Sequence, residues 1–544
     1  MNAFFNKYFY IYIIIYIFLL FYKNNSPLWE QDEAAYAGFA TNMIESGNWV
    51  IPDFPFSEPH RKTPLHYWIT AIMFQAFGNS EFVLRLSSSI FLLLSLVLTW
   101  VSGNRILGNN RGVWGAVILS GSFFLILYGK IALVDSALLF FEILAVYGLL
   151  GIYQKKNLFF SISLMVIAVS LALLVKGPPV LILLTGIIFT MTVTGFFNGR
   201  IVWLPFIFFP LVILSIIPLV VWGRIAWISD NGKFISWLVD WYILKRTTGA
   251  VFGQSGPPGY YLLLFFLTLF PWTFVFPSVI KWITKMFFEL YQSIRNKTKF
   301  HVSLEEQFVF AWIASGWLVY ELMISKLPSY ILGAYPAVAI IAGKQIGLFL
   351  EKKTDFGKAT GLLPFIGFIL LFLITGIIYY YKLSYLFYIL EIAIGVLFYF
   401  VYNSFIADNR ERTVLLVAFS SLIFIAFFWS GIAQSLEFRY GPEKFAQKIR
   451  NDYPDASSVI FASNPSIPGI AYYLHRLGFK IEMAGTPESL KKKLQDSPVV
   501  ALMPETFSII TEFNIKADQE YSVLAYDRGK ELIFSLFFEK KTKK

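Results

Sequence analysis

The chain has 544 residues, of which 57% are hydrophobic, 19% aromatic and only 15% charged, a balance that excludes an ordinary soluble protein and places it among integral membrane proteins. Its net charge of +11 does not mark a nucleic-acid binder, because most of the excess sits in short clusters between apolar runs, as cytoplasmic loops do. The lack of cysteine excludes disulfides and thiolate metal sites, and four histidines (His60, His66, His301, His475) leave little material for an imidazole site.

A membrane span needs roughly 20 apolar residues. Runs of that kind lie near 4–22, 82–101, 112–129, 136–153, 158–175, 178–197, 201–222, 259–281, 305–325, 329–350, 359–381, 384–406 and 413–433. The expected fold is therefore an α-helical polytopic membrane protein of about thirteen transmembrane helices with a large first extracytoplasmic loop, plus a small C-terminal α/β soluble domain. The first run lacks a small-x-small cleavage site after Lys23, so it reads as an uncleaved helix. Basic residues recur in alternate loops, at Arg105/Arg111, Lys155/Lys156, Arg200, Lys281 to Lys299, Lys352/Lys353/Lys358 and Arg410/Arg412. Assigning those loops to the cytoplasm puts the 23–81 loop, the 223–258 loop and the C-terminus outside. A membrane domain of residues 1–435 and an extracytoplasmic domain of residues 436–544 follow.

The 23–81 loop carries the chemistry-bearing residues: an acidic pair, Asp32-Glu33, and a basic pair, Arg61-Lys62, before Thr63-Pro64. Loops this long between spans are usually functional. The run Pro64–Phe77 is short and amphipathic and reads as an interfacial helix. On residue chemistry alone the acidic pair has two readings, a catalytic carboxylate or negative charge opening a helix. Lys62 likewise is either a phosphate ligand or an interfacial lysine. Tyr36 falls one helical turn after Asp32, on the same face.

Further cations lie on the expected outer side, against the usual bias: Arg61, Lys130, Lys176, Arg224, Lys245, Arg246 and Lys326. Their convergence suits an anionic substrate. Asp135, at the outer end of a span, is a functional candidate by its depth, with pairing to Lys130 as the structural alternative. The 223–258 loop is rich in Trp and Tyr and ends in a Gly/Pro run, a pattern that an interfacial aromatic belt also explains. After Ala433 the chain turns polar. Strand-like runs at Ser458–Ala462, Phe479–Met483, Val499–Met503, Tyr521–Tyr526 and Glu531–Phe538 alternate at first with helix-like stretches at Pro468–Arg476 and Pro487–Leu494. No glycine-rich phosphate loop follows a strand, so a structural or docking role is expected.

The loop order DE-x-x-Y (Asp32 to Tyr36), E-S-G-N-W (Glu45 to Trp49), K-x-P-L-x-Y-W (Lys62 to Trp68) and F-G-x-S-E-x-x-x-R-L (Phe77 to Leu86) resembles the first extracytoplasmic loop of bacterial C-superfamily membrane glycosyltransferases. The lipid A aminoarabinose transferase is the nearest type, with protein mannosyltransferases in the same group. The likeness extends more weakly to about residue 435. It implies transfer of a sugar, with inversion, from a polyprenyl-phosphate donor to a lipid, glycan or protein acceptor outside the bacterial inner membrane. It implies Asp32 as base and an acid at Asp135; Glu33, the other half of the acidic pair, stands as a further catalytic candidate. It also implies Tyr36, Lys62, Lys176, Lys326 and Tyr330 as substrate-binding residues, to which Arg61 and Arg246 are added as outer-side cations suited to an anionic substrate. Three departures stand out: Arg61 replaces a glutamate, Gln254 a histidine and Ala35 an arginine. The first two relatives' residues hold a metal ion, so the expectation is no cofactor, a divalent metal being disfavoured. A flippase or a membrane scaffold is the rival reading, and neither accounts for the DE…KTPL constellation.

Overall fold

The computed structural model describes residues 3–28, 31–108, 111–197, 203–245, 255–296, 298–300, 302–379, 385–435, 439–461, 467–483, 499–504, 519–527 and 530–538. The chain divides into two compact units. One comprises Met1–Tyr22, Ser88–Lys130 and Val134–Ile432; the other comprises Lys23–Ser87, Ile131–Leu133 and Ala433–Lys544.

Among the described residues, six helices are long and apolar enough to cross a bilayer: Glu81–Leu107, Val134–Tyr153, Leu158–Lys176, Pro179–Phe196, Leu204–Asp230 and Pro328–Leu350. The pair Gly112–Gly121 and Phe123–Lys130, bent by 69°, makes a seventh if it is one span. Long apolar stretches of this kind are what a lipid environment selects. The chain is a multi-pass membrane protein.

Thirteen apolar runs thus give fewer long, straight helices, and the reasons are local. The 112–129 run breaks at Ser122, whose hydroxyl donates to the Thr268 carbonyl at 2.7 Å and diverts the helix. The 259–281 run splits into a helix at Tyr260–Thr268, a tight turn at Trp272–Val275 and a helix at Phe276–Asn296. The last buries Val279, Ile283 and Met286 on one stripe while Lys281 and Lys285 stay off it, the pattern of a surface helix. The 305–325 run is helical over Leu304–Ile313, widens to a π-turn at Ala314–Leu318 and ends at Glu321. The 223–258 segment begins inside the helix Leu204–Asp230 and continues as Lys233–Val239.

The second unit joins the first loop to the C-terminal segment. Helix α1 (Gln31–Ser46) has Asp32 and Glu33 in its first turn, where carboxylates favour the helix N-terminus. It stops at Gly47, whose φ of 72° suits the left-handed residue that ends a helix. Helix α2 (Leu65–Phe77) starts after Thr63-Pro64 and ends at Gly78. Tyr67 of α2 packs its ring 5.3 Å from Tyr36 and 5.0 Å from Phe39, both on α1. In the C-terminal segment, helices Gly441–Asp452 and Pro468–Arg476 accompany a five-stranded sheet. Its strands β1 (Ser458–Phe461), β2 (Lys480–Met483), β3 (Val499–Pro504), β4 (Gln519–Asp527) and β5 (Lys530–Phe538) lie in the order β2-β1-β3-β5-β4. The β2-β1-β3 half is parallel, while β5 runs antiparallel to both β3 and β4. The helix expected at Pro487–Leu494 lies outside the described residues.

The helix Pro468–Arg476 fastens the first loop. Its Tyr473 hydroxyl accepts from the Leu28 amide at 2.9 Å, its Tyr472 hydroxyl donates to Asn79 Oδ1 at 2.8 Å, and Arg476 pairs with Glu81. His475 lies 3.1 Å from Glu45.

Candidate active site

In the second unit the loop brings an acid, a base and a phenol together. Asp32 Oδ1 lies 2.9 Å from His60 Nδ1 and 3.3 Å from Lys62 Nζ. Lys62 also donates to the Tyr36 hydroxyl and stands 4.8 Å from that ring's centre. The four residues come from two short stretches. The i, i+4 spacing on α1 stacks Asp32 and Tyr36 on one face. The turn Glu58–His60 then delivers His60 and Lys62 to that face, with Tyr67 donating to the His60 carbonyl at 3.1 Å. Asp32 keeps 33% of its side chain exposed, so it can reach a ligand. Burial opposes its ionisation, but the Lys62 ammonium and then His60 outweigh that cost, holding its carboxyl well below the usual carboxylate range.

Glu33 points the other way. It is fully buried, and Arg85 grips it in a two-pronged pair at 2.6 and 2.8 Å. The Ala132 amide donates to the same carboxylate at 3.0 Å. Arg85 also donates to the carbonyls of Asn24, Ser26 and Pro27, and Arg439 to Pro27 and Ala433. Burial, and then the neighbouring Arg85, lower the Arg439 pKa to about 10, which leaves it cationic at neutral pH. A catalytic part for Glu33 requires contact with substrate, and its burial in this ladder denies that contact. Of the acidic pair, Asp32 is partly exposed on the loop and Glu33 is sealed against Arg85. Adjacent helix residues face about 100° apart, so only one of two can face the loop opening.

Arg61 pairs with Asp53 and lies 3.9 Å from Glu58. Its charge is met within the loop, so a grip on phosphate requires those carboxylates to let go. Arg246 and Gln254 lie outside the described residues. Among the described residues, no three His, Asp or Glu side chains gather to hold a metal ion. Asp32 and His60 alone do not fit a divalent site, and Lys62 beside them adds a positive charge.

The first unit contains a second cluster. Asp135 accepts from Lys176 at 2.5 Å, so its partner is Lys176 and not Lys130. Lys130 is fully buried and donates to the carbonyls of Leu19, Leu20 and Tyr22, satisfying a helix end. Asp135 and Lys176 line a small pocket together with Glu142, Tyr320, Ser329 and Tyr330. Lys326 is buried against Glu321 at 2.9 Å, a structural engagement. Arg224 is exposed, and Lys245 pairs with Asp240 at 2.8 Å.

Residues 61–222 match the family model described as dolichyl-phosphate-mannose-protein mannosyltransferase. A protein of Aquifex aeolicus is 26% identical over 346 residues, which is 63% of this chain and 64% of that one. The undecaprenyl phosphate-alpha-4-amino-4-deoxy-L-arabinose arabinosyl transferase of Aeromonas hydrophila is 24% identical over 353 residues, 62% of this chain and 60% of its own length. The chain thus spans somewhat less than two thirds of both relatives. Among solved structures, ArnT from Cupriavidus metallidurans bound to undecaprenyl phosphate has a TM-score of 0.72 over 98% of both chains at 16% identity, a likeness of fold. Fold and motifs define a class, the polytopic membrane glycosyltransferases of the C superfamily, and the chain resembles it. Within that class the likeness is to the lipid A aminoarabinose transferases and, over residues 61–222, to the protein mannosyltransferases.

Proposed function

We propose that the chain is a membrane glycosyltransferase. It takes a sugar from a polyprenyl-phosphate donor and passes it, with inversion, to a lipid, glycan or protein hydroxyl on the extracytoplasmic face of a bacterial inner membrane. The observation that carries this reading is the Asp32–Lys62–Tyr36 contact on a partly exposed loop face. Similarity to arabinosyl transferases and to a mannosyltransferase family model supports the reaction class. It leaves the choice between pentose and hexose open.

In this mechanism Lys62 serves two partners in turn. With no donor bound it holds Asp32 ionised. When a phosphate arrives, the ammonium moves onto its oxygens, and the carboxylate, losing its strongest stabilising neighbour, becomes more basic. An acceptor hydroxyl then gives its proton to Asp32 as its oxygen bonds to the anomeric carbon. The bond from that carbon to the phosphate oxygen breaks, and the electron pair leaves with polyprenyl phosphate, whose growing charge Lys62 stabilises. Lys62, with Arg61 if it is freed, supplies the positive charge, so transfer runs without a metal ion. Activity that vanished on exhaustive chelation and returned with one divalent ion would contradict that last point.

The reading is tested with purified protein, a synthetic polyprenyl-phosphate sugar and a lipid acceptor. Free polyprenyl phosphate should appear only when acceptor is present, and the product's anomeric configuration should be opposite to the donor's. Passage of intact donor across proteoliposomes without cleavage would instead make this a transporter.

A further inference from the structure

The helix Phe276–Asn296 has three faces, and the proposed transfer uses none of them. One packs inward through Val279, Ile283 and Met286. At about 100° per residue, Phe287, Phe288, Tyr291 and Ile294 fall together on a second face. All four are exposed, Phe288 by 61% and Tyr291 by 55%, although the Phe287 ring also meets that of Phe310 at 4.9 Å. Lys281 and Lys285 open the third face beside Phe288, and Arg295 falls between Phe288 and Tyr291. These three cations are exposed, as is Lys299 just beyond the helix. Glu289 is the helix's one acid, and it meets Lys285 only across the surface, at 3.5 Å.

A helix with one side on protein, one side apolar and one side cationic suits the level of the lipid headgroups. At that depth aromatic rings enter the acyl boundary, while lysine stems run along it and lift their ammonium groups to the phosphates. The basic-loop rule assigns this helix to the cytoplasmic side, where anionic headgroups set a negative surface potential.

We propose that this helix is an interaction surface for anionic glycerophospholipids of the cytoplasmic leaflet. Lys281, Lys285 and Arg295 take the headgroup phosphates, and Phe288 and Tyr291 enter the acyl boundary. Three cations against one acid favour anionic over zwitterionic headgroups. The same strip carries exposed aromatic rings, which a bilayer covers and an acidic protein segment does not match.

The chain has no cysteine, so a single Thr284→Cys substitution on the exposed apolar face can carry a fluorescent label in the full-length protein. The labelled protein is placed in phosphatidylcholine nanodiscs with increasing amounts of brominated lipid, either phosphatidylglycerol or phosphatidylcholine. Both should quench the label, and half-quenching should need about fivefold less phosphatidylglycerol, the ratio that one surface cation gives. About 1 M salt, which shortens the screening length to about 3 Å, should bring the two lipids level. Lys281→Gln, Lys285→Gln and Arg295→Gln combined should do the same, with quenching by phosphatidylcholine kept because the rings still insert. Equal quenching by both lipids at low salt in the charge-intact protein would overturn the proposal, whether or not the triple variant folds. Absence of quenching by either lipid would also overturn it, because the face would then meet water, an acidic protein or a second copy of the chain. A preference that survives both salt and the three substitutions would remove these cations from the surface.

Discussion

Asp32 and Glu33 are chemically alike and adjacent, yet their environments set them to different tasks. Asp32 sits a third exposed against Lys62 and His60, while Glu33 is sealed against Arg85. A carboxylate held below its ordinary pKa adds stability that is complete above the unfolded value, near 4, and is lost only as pH falls through the lower folded value. The difference in Tm between wild type and Asp32→Asn should therefore be flat from pH 7 to pH 5. A difference that shrinks across that window would show Asp32 titrating in the ordinary range. The residue scale was the most legible in the sequence. Asp32, Tyr36 and Lys62 were found by short spacing and motif, and the structure brings those three together. His60 is not among the site residues that the motifs point to, because it does not sit at the relatives' metal-ligand position. Its approach to Asp32 depends on how the loop turns at Glu58–His60.

At the scale of elements, what holds the loop is a buried polar ladder, and this was not legible. Arg85 lies 52 residues from Glu33, and Arg439 reaches Ser26 across 413 residues, separations at which no periodicity or motif speaks. Removing one partner from a buried ion pair leaves a charge without compensation and costs about 3–5 kcal/mol. Glu33→Ala should accordingly lose monodisperse protein or melt far lower, and replacing Arg85 by methionine as well should recover part of the loss. A Glu33→Ala protein that melts normally yet has lost turnover would return Glu33 to the catalytic list. Hydropathy misled in the same way about helices. It records that residues are apolar, not that Ser122 turns a helix aside or that Lys281 and Lys285 make Phe276–Asn296 a surface helix. Strand positions in the C-terminal segment were easier, since alternating short apolar runs carry their own period: β1, β2 and β3 begin within a residue of the runs read from sequence.

For the whole molecule, the orientation in the membrane rests on the basic loops, and the proposed reaction requires the loop bearing Asp32 to face outward. The helix Phe276–Asn296, with Arg295 in its last turn, belongs by that rule to the cytoplasm, while the helix Gly441–Asp452 belongs outside. Reporter fusions after Asn296 and after Asp452 should report opposite compartments. Matching compartments would overturn the scheme and the outward face of the acid-bearing loop. The decisive experiment pairs two numbers on purified Asp32→Asn protein, its transfer rate and its affinity for polyprenyl phosphate. A general base contributes about 100-fold or more, so turnover should fall by at least that factor while Lys62 keeps the affinity within about threefold of wild type. A near-normal transfer rate with intact affinity would contradict the assignment of Asp32 as the base.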